Sequence, residues 1–566
     1  MTRKTPVLIV LAALSLCMVS RAQGPEFDLV IAGGIVFDGT GAPGTSADIG
    51  IKDGVIATIG RTAPSAGERV IPAKGLYIAP GFIDIHTHGD SGIVNDRLKS
   101  AQNYITQGVT TLVTGNCGNG TYDVAQYFAR IRQQGAGVNV IHLVGHGTVR
   151  GAIMRSADRA PTPEELEKMK GLVDQAMREG ASGLSSGLFY APGSYATTAE
   201  VVEMARVVRP YGGIYASHIR DESDYTIGLK ASIAEAIDIG EKAAVPVQIS
   251  HIKALGESVW GRAPEICRMI EAAQGRGVKV TADQYPYHAS STSLAAATLA
   301  RWVEADGKMR ERLKDPALLP RIRKEMAANI ERRGGPDTLV ISSYGAKPEW
   351  EGKNLLDISR VLGKTPVDAA IEMLILGSAS VISFNMSEKD IEFFMRKPYV
   401  ATGSDGHIVE FGAGMPHPRS YAAFTRKIRR YVIEKNVIPM AHAIRAATGL
   451  PAGILGLKDR GLIKQGFAAD LVIFDPATIA DRATYEKPHQ YTAGIQYVLV
   501  NGRLAVDEGK MTGILAGRPL PLGATPPAGL TESLRPVSLG REPRPLGSSA
   551  AVPWPSRLLF RPRVQD

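Results

Sequence analysis

Residues 80–88 read Pro-Gly-Phe-Ile-Asp-Ile-His-Thr-His. A proline–glycine turn leads into the apolar run Phe82–Ile85, and two histidines one residue apart close it. Side chains alternate across a strand, so His86 and His88 are expected on one face at the C-terminal end of that run. Seven more β-type apolar runs follow: Val109–Val113, Val138–Leu143, Ala181–Leu184, Gly213–Ala216, Pro246–Ile249, Val278–Ala282 and Tyr399–Ala401. Helix-type stretches separate most of them. Pro163–Gly180 has Thr162 as N-cap, Glu164 and Glu165 in its first turn and a glycine at its end. Thr226–Lys242 puts Ile233 and Ile237 on one face. Eight β runs alternating with helices predict an α/β fold, a closed parallel (β/α)8 barrel of the TIM type. The alternative is an open doubly wound sheet, but no glycine-rich phosphate loop supports it.

The flanks differ from the centre. Asp28–Asp38 and Ala47–Gly60, with an Asp53-Gly54 turn, read as strands, and so do Leu462–Asp475 and Tyr497–Val506. A small β-sandwich domain built from both ends, 23–80 and 460–515, is expected around a barrel spanning 81–459. The long gap before the eighth run carries charged helix-like segments, so an inserted subdomain of about 288–397 is expected above the barrel, placed to form a lid. Residues 516–566 are rich in Pro, Gly, Ser and Arg and are expected to be disordered. Residues 1–22 read as a secretory signal: Arg3 and Lys4, an apolar run Pro6–Val19, then small residues at Ser20-Arg21-Ala22. Export to the periplasm or medium, with cleavage near Ala22, is the expectation.

The net charge of +9 would suggest a nucleic-acid partner until it is located. The signal segment supplies +3 and residues 516–566 supply +4, which leaves +2 for the body. Nucleic-acid binding by the body gains no support. Loss of Cys17 with the signal would leave Cys117 and Cys267, and a free Cys117 is preferred to a disulfide.

The reactive side chains gather at the ends of the β runs. His86 and His88 end the first, Cys117 closes the second, His218 ends the fifth, His251 ends the sixth, and Asp405 follows the eighth. Barrel active sites form at strand C-termini. Thiolate and imidazole are zinc donors, and a cysteine with two histidines leaves a coordination position for water. Asp405 suits a proton shuttle. Among the remaining histidines, His288 and His407 are expected near the mouth, while His142, His146, His417, His442 and His489 are expected to serve structure.

With its composite β-rich ends, PGFIDIHTH resembles the amidohydrolase superfamily. VTTLVTGNCG, SSGLFYAPGSYATTAE, SHIRDES and ISHIKALG are similar to the D-aminoacylase (N-acyl-D-amino-acid deacylase) family, over roughly Phe27–Gly513. The resemblance implies one tightly held Zn2+ on Cys117, His218 and His251, a second weak or empty site at His86 and His88, and Asp405 as the catalytic aspartate. It also implies that Lys253, Tyr285, Ser291 and Arg419 hold the substrate's carboxylate, with Tyr287 and Ser290 left open as alternatives to their neighbours. The expected activity is zinc-dependent hydrolysis of an N-acyl-D-amino acid to a carboxylate and a D-amino acid. Two rivals stay open: hydrolysis of another small amide (a dipeptide, an N-carbamoyl compound or a cyclic imide), and a non-catalytic binding protein on a degenerate barrel. The substrate partner is a small molecule in the first two cases.

Overall fold

A computed structural model describes residues 25–522. The expected signal segment, and the expected tail from 523 onward, lie outside the described residues. Eight strands follow one another in chain order: Phe82–Asp84, Val109–Thr114, Asn139–His142, Gly183–Gly187, Ile214–His218, Val247–Ile249, Val280–Gln284 and Val400–Thr402. Strands one to three pair in parallel, and so do strands four to eight. The chain of the third strand continues into Val144–Gly145, which pairs with the fourth. The ring closes where Thr87 bridges Gly406 and the Asp405 N–H donates to the His86 carbonyl at 2.8 Å. The second strand is buried at every position, as a parallel strand covered on both faces must be. Ile83, Val113, Ile141, Ile214 and Ala401, from five different strands, meet in one apolar cluster. Only a filled barrel interior lets them do so.

The outer helices follow their sequence signals. The helix Pro163–Arg178 starts at Thr162, which exchanges hydrogen bonds with Glu165 in a capping box. The helix expected from Thr226 begins instead at Leu229. The Asp221 carboxylate takes the Thr226 and Gly228 amides at 2.6 and 3.1 Å and holds that segment as a loop.

Both chain ends build one nine-stranded sheet. Phe27–Val36, Thr45–Lys52, Val55–Gly60, Gly67–Pro72 and Tyr77–Pro80 join Leu471–Phe474, Ile495–Val500, Arg503–Asp507 and Lys510–Met511. Period-two alternation fastens it to the barrel: Leu471 and Ile473 enter the sheet's own core, while Val472 and Phe474 enter the barrel's.

The insertion has a core of its own. Strands Ala289–Ser293, Leu339–Tyr344 and Ala379–Phe384 form an antiparallel sheet, packed with the helices Leu319–Arg332, Leu355–Leu362 and Pro366–Leu376. It is shorter than the expected 288–397, because the helix Glu388–Met395 sends Ile391 and Phe394 into the barrel core. The subdomain sits over the strand C-termini, where Gly256, beyond the sixth strand, donates to the Asn385 carbonyl at 2.8 Å.

A second boundary also needs correction. Residues 516–522, assigned above to a disordered tail, are built into the barrel wall. Val140 donates to the Arg518 carbonyl at 3.0 Å, Leu520 to Val140 at 2.8 Å and Leu522 to Gly180 at 3.1 Å. On its third-strand side the fourth strand pairs with Val144–Gly145 and not with Asn139–His142, so the outward Val140 backbone groups need other partners, and the tail supplies them. Leu520 packs onto the interior cluster.

Candidate metal centre

Cys117, His251 and Asp405 stand just past the ends of strands two, six and eight, and all three have left-handed backbone, with φ of 53°, 37° and 51°. That conformation costs a non-glycine residue about 1–2 kcal/mol, and such strain gathers at functional sites. It changes how the groups reach the mouth. Strand pairing stops at Asp84 and the chain bends through Ile85 and His86, so continued alternation is not what positions the His86 and His88 rings. Lys253 is likewise not placed by continuation of the sixth strand, which stops at Ile249.

The groups converge nonetheless. Cys117 Sγ lies 3.4 Å from His86 Nε2, 3.6 Å from His218 Nδ1 and 3.6 Å from His251 Nε2. Zinc–sulfur and zinc–nitrogen bonds of about 2.3 and 2.0–2.1 Å at a tetrahedral angle put sulfur and nitrogen about 3.6 Å apart. The donor set therefore fits a divalent cation centred among these atoms. Burial opposes a thiolate at Cys117, but His86, His218 and His251 outweigh it and hold the group well below the ordinary thiol range. Cys267 is also free and buried, and no disulfide joins the two.

Asp405 closes a second group. Its Oδ1 lies 3.0 Å from His88 Nε2 and 3.6 Å from His86 Nε2, and its Oδ2 lies 2.7 Å from Arg419 Nη1. Burial would raise its pKa, yet Arg419 first, then His251 and His88, hold the carboxylate well below its usual range. His86, His88 and Asp405 form a second cluster with metal-compatible spacing.

Of the residues expected to grip a carboxylate, three stand together. Lys253 Nζ is 5.5 Å above the Tyr285 ring and the Arg419 guanidinium is 4.7 Å from the same ring. Tyr287 lies instead beneath Arg426, at 4.6 Å. Ser291 is half-buried opposite Ile382, and among the described residues no hydrogen bond links it to the other three. Ser290 is buried and donates to Asn385 Oδ1 at 3.1 Å. His417, expected to serve structure, accepts the Arg419 N–H at 3.0 Å on Nδ1 and so helps to fix that arginine.

Two buried carboxylates escaped the sequence reading. Glu222 lies 2.6 Å from Lys253 Nζ and 3.0 Å from His251 Nδ1. Asp283 accepts the His251 N–H at 2.8 Å and lies 3.4 Å from His86 Nδ1. Their signal was present but unused: each is an acid close to the end of an apolar run, in SHIRDES and in the residue after Val278–Ala282.

The chain matches the amidohydrolase family over residues 69–255 and 395–506, the two stretches on either side of the insertion. It is 36% identical to a D-aminoacylase of Alcaligenes xylosoxydans xylosoxydans over 524 residues, covering 88% of this chain and 99% of that protein. It superposes with a TM-score of 0.76, at 34% identity, on a D-aminoacylase with a binuclear metal centre in which one metal activates and a second attenuates; 88% of this chain and 100% of that one are covered. An N-acyl-D-glutamate deacylase from Bordetella bronchiseptica, solved with zinc and a phosphonate mimic of the tetrahedral intermediate, gives the same TM-score of 0.76 and 34% identity, covering 88% and 99%. The chain belongs to the amidohydrolase family, in the branch that contains the D-aminoacylases.

Proposed function

We propose that this protein hydrolyses the amide bond of N-acyl-D-amino acids, holding one zinc tightly through Cys117, His218 and His251, with a weaker second site at His86 and His88. The observation that carries the reading is the Cys117 thiol at 3.4–3.6 Å from three imidazoles, beside an aspartate whose charge is held by Arg419. The binuclear D-aminoacylase and the zinc-bound deacylase among its relatives support it.

A metal held by these residues would polarise the acyl carbonyl and lower the pKa of an attacking water. Asp405 takes the proton from that water as its oxygen bonds to the acyl carbon, and gives it to the nitrogen as the carbon–nitrogen bond breaks. Arg419 and Lys253, both close to the Tyr285 ring, hold the α-carboxylate. With the carbonyl and the carboxylate both fixed, a shaped pocket for the third substituent separates D from L.

Release of free amine decides the matter. N-acetyl-D-methionine, N-acetyl-D-glutamate and their L-isomers should be compared with a dipeptide, an N-carbamoyl amino acid and a cyclic imide. The reading expects turnover of D-acyl substrates and little of the rest; equal rates on D and L, or a preference for the imide, would overturn it. The side-chain preference comes from the same panel, since D-aminoacylase and N-acyl-D-glutamate deacylase are equally similar in structure. Among the described residues no helix is long and apolar enough to cross a membrane. Export with cleavage near Ala22 belongs to this proposal, and N-terminal sequencing of the exported protein tests it.

A further inference from the structure

The two histidines paired with Cys117 present opposite nitrogens to it, His251 through Nε2 and His218 through Nδ1. Their other nitrogens face one carboxylate. His251 Nδ1 is 3.0 Å from Glu222 Oε1 and 2.7 Å from Lys253 Nζ, itself bound to that oxygen, and His218 Nε2 is 4.0 Å from Glu222 Oε2. His218 Nε2 is buried and has no hydrogen-bond partner among the described residues. A metal-ligating imidazole must carry its proton on the nitrogen away from the metal, and an acceptor there fixes both tautomer and ring angle.

We infer that Glu222 is a positioning residue for the metal centre, one carboxylate that orients both imidazoles at once. Oε1 is within hydrogen-bond reach of the His251 ring, and Oε2 faces the unpartnered His218 Nε2 from 4.0 Å, where its charge favours a proton on that nitrogen. Two features hold the carboxylate in place. Asp221 ties down the loop through the Ser223, Thr226 and Gly228 amides at 2.9, 2.6 and 3.1 Å, while Leu255 donates to the Glu222 carbonyl at 2.9 Å. The Lys253 ammonium at 2.6 Å supplies the countercharge that keeps the carboxylate ionised inside the protein. Lys253 thus has a duty toward the metal centre as well as toward substrate.

The inference rests on the ligand set proposed above, and the test separates the two. Zinc content after dialysis and the rate of zinc release to a chelator are measured for the parent, Glu222→Gln, Glu222→Asp and Cys117→Ser. The cobalt-substituted forms add the sulfur-to-cobalt charge-transfer band. Glu222→Gln keeps the shape but turns an NH2 toward one of the rings, so release should quicken about 10–100-fold and the band should shift. Glu222→Asp should recover part of the loss, because it restores an anion with a shorter reach. If Glu222→Gln does not fold, Glu222→Asp decides alone, with release at the parent rate overturning the inference. If Cys117→Ser loses zinc while both Glu222 variants release it at the parent rate, the ligand set stands and the positioning role falls. If Cys117→Ser also keeps its zinc, the ligand set itself is wrong.

Discussion

Buried charged side chains fare differently at the barrel mouth and behind strands one and eight. At the mouth they come in opposite pairs: Asp405 with Arg419 at 2.7 Å, Glu222 with Lys253 at 2.6 Å. Burial opposes both carboxylates, yet neighbouring cations pull each well below the usual range. Behind strands one and eight, Lys427 is equally buried among Phe82, Phe424 and Ile428, and among the described residues its ammonium donates only to Thr402 Oγ1 at 2.9 Å. Burial there pushes its pKa down to about 7. Burial alone removes charge, while burial with a partner stores it. The mouth keeps ionised groups because each has its counterion, and stored charge is what a hydrolase needs there.

The strongest way to break this contrast is at the mouth. Asp405→Asn keeps the shape and removes the base. Turnover should fall by about 10²–10⁴, while zinc, measured on the purified variant, stays bound. Near-parent turnover with zinc present would mean that the Asp405–Arg419 pair is structural.

How much of this was legible in the sequence depends on what fixes each feature. The eight strands were, because parallel strands covered on both faces are continuous apolar runs, and Cys117, His218 and His251 were, because each follows such a run. Their route into the mouth was not. It depends on left-handed backbone at Cys117, His251 and Asp405, and the preference of Asp and His for that region is too weak to announce a positive φ at a given position. Glu222 was missed because its role comes from two rings brought together by separate strands. The ordered start of the tail was missed because it is held mainly by main-chain hydrogen bonds, which carry no side-chain signature.

Lys427 provides the counter-experiment. In the unfolded chain it takes up its proton near 10.5, and in the folded protein only near 7. Between those values unfolding binds a proton, so stability should rise as pH climbs from 7 toward 10.5, by about 3–5 kcal/mol at most. Lys427→Met should remove that rise and be more stable than the parent at pH 7. Denaturant unfolding at pH 7 and 10 measures both; parallel profiles for the two proteins would show that Lys427 stays charged despite its surroundings.

The barrel wall sharpens the comparison from the other side, since it is held without charge. Ending the chain after Leu515 removes the bonds to Val140 and Gly180 and the Leu520 side chain. At about 1 kcal/mol per hydrogen bond and about 2 for a buried leucine, a loss of about 2–4 kcal/mol is expected after relaxation. Ending it after Leu522 keeps all of these and should leave the melting temperature nearly unchanged. Equal melting temperatures for both truncations would show that residues 516–522 lie on the wall without supporting it.

Lys253 gives the smallest effect and the most selective one. Its ammonium faces Glu222 on one side and the Tyr285 ring on the other, so Lys253→Met acts in two ways. It leaves Glu222 buried without a cation, which harms the metal centre whatever the substrate. It also removes one charge from the grip on the α-carboxylate, which harms only substrates that carry one. Comparing an N-acyl-D-amino acid with its primary amide separates the two, because the metal-centre loss is common to both. The additional loss on the acid should be about 1.5–3 kcal/mol in kcat/KM, the range for a hydrogen bond to a charged group. A loss shared equally by acid and amide would assign Lys253 wholly to Glu222 and the metal centre, and leave Arg419 as the carboxylate's remaining cation.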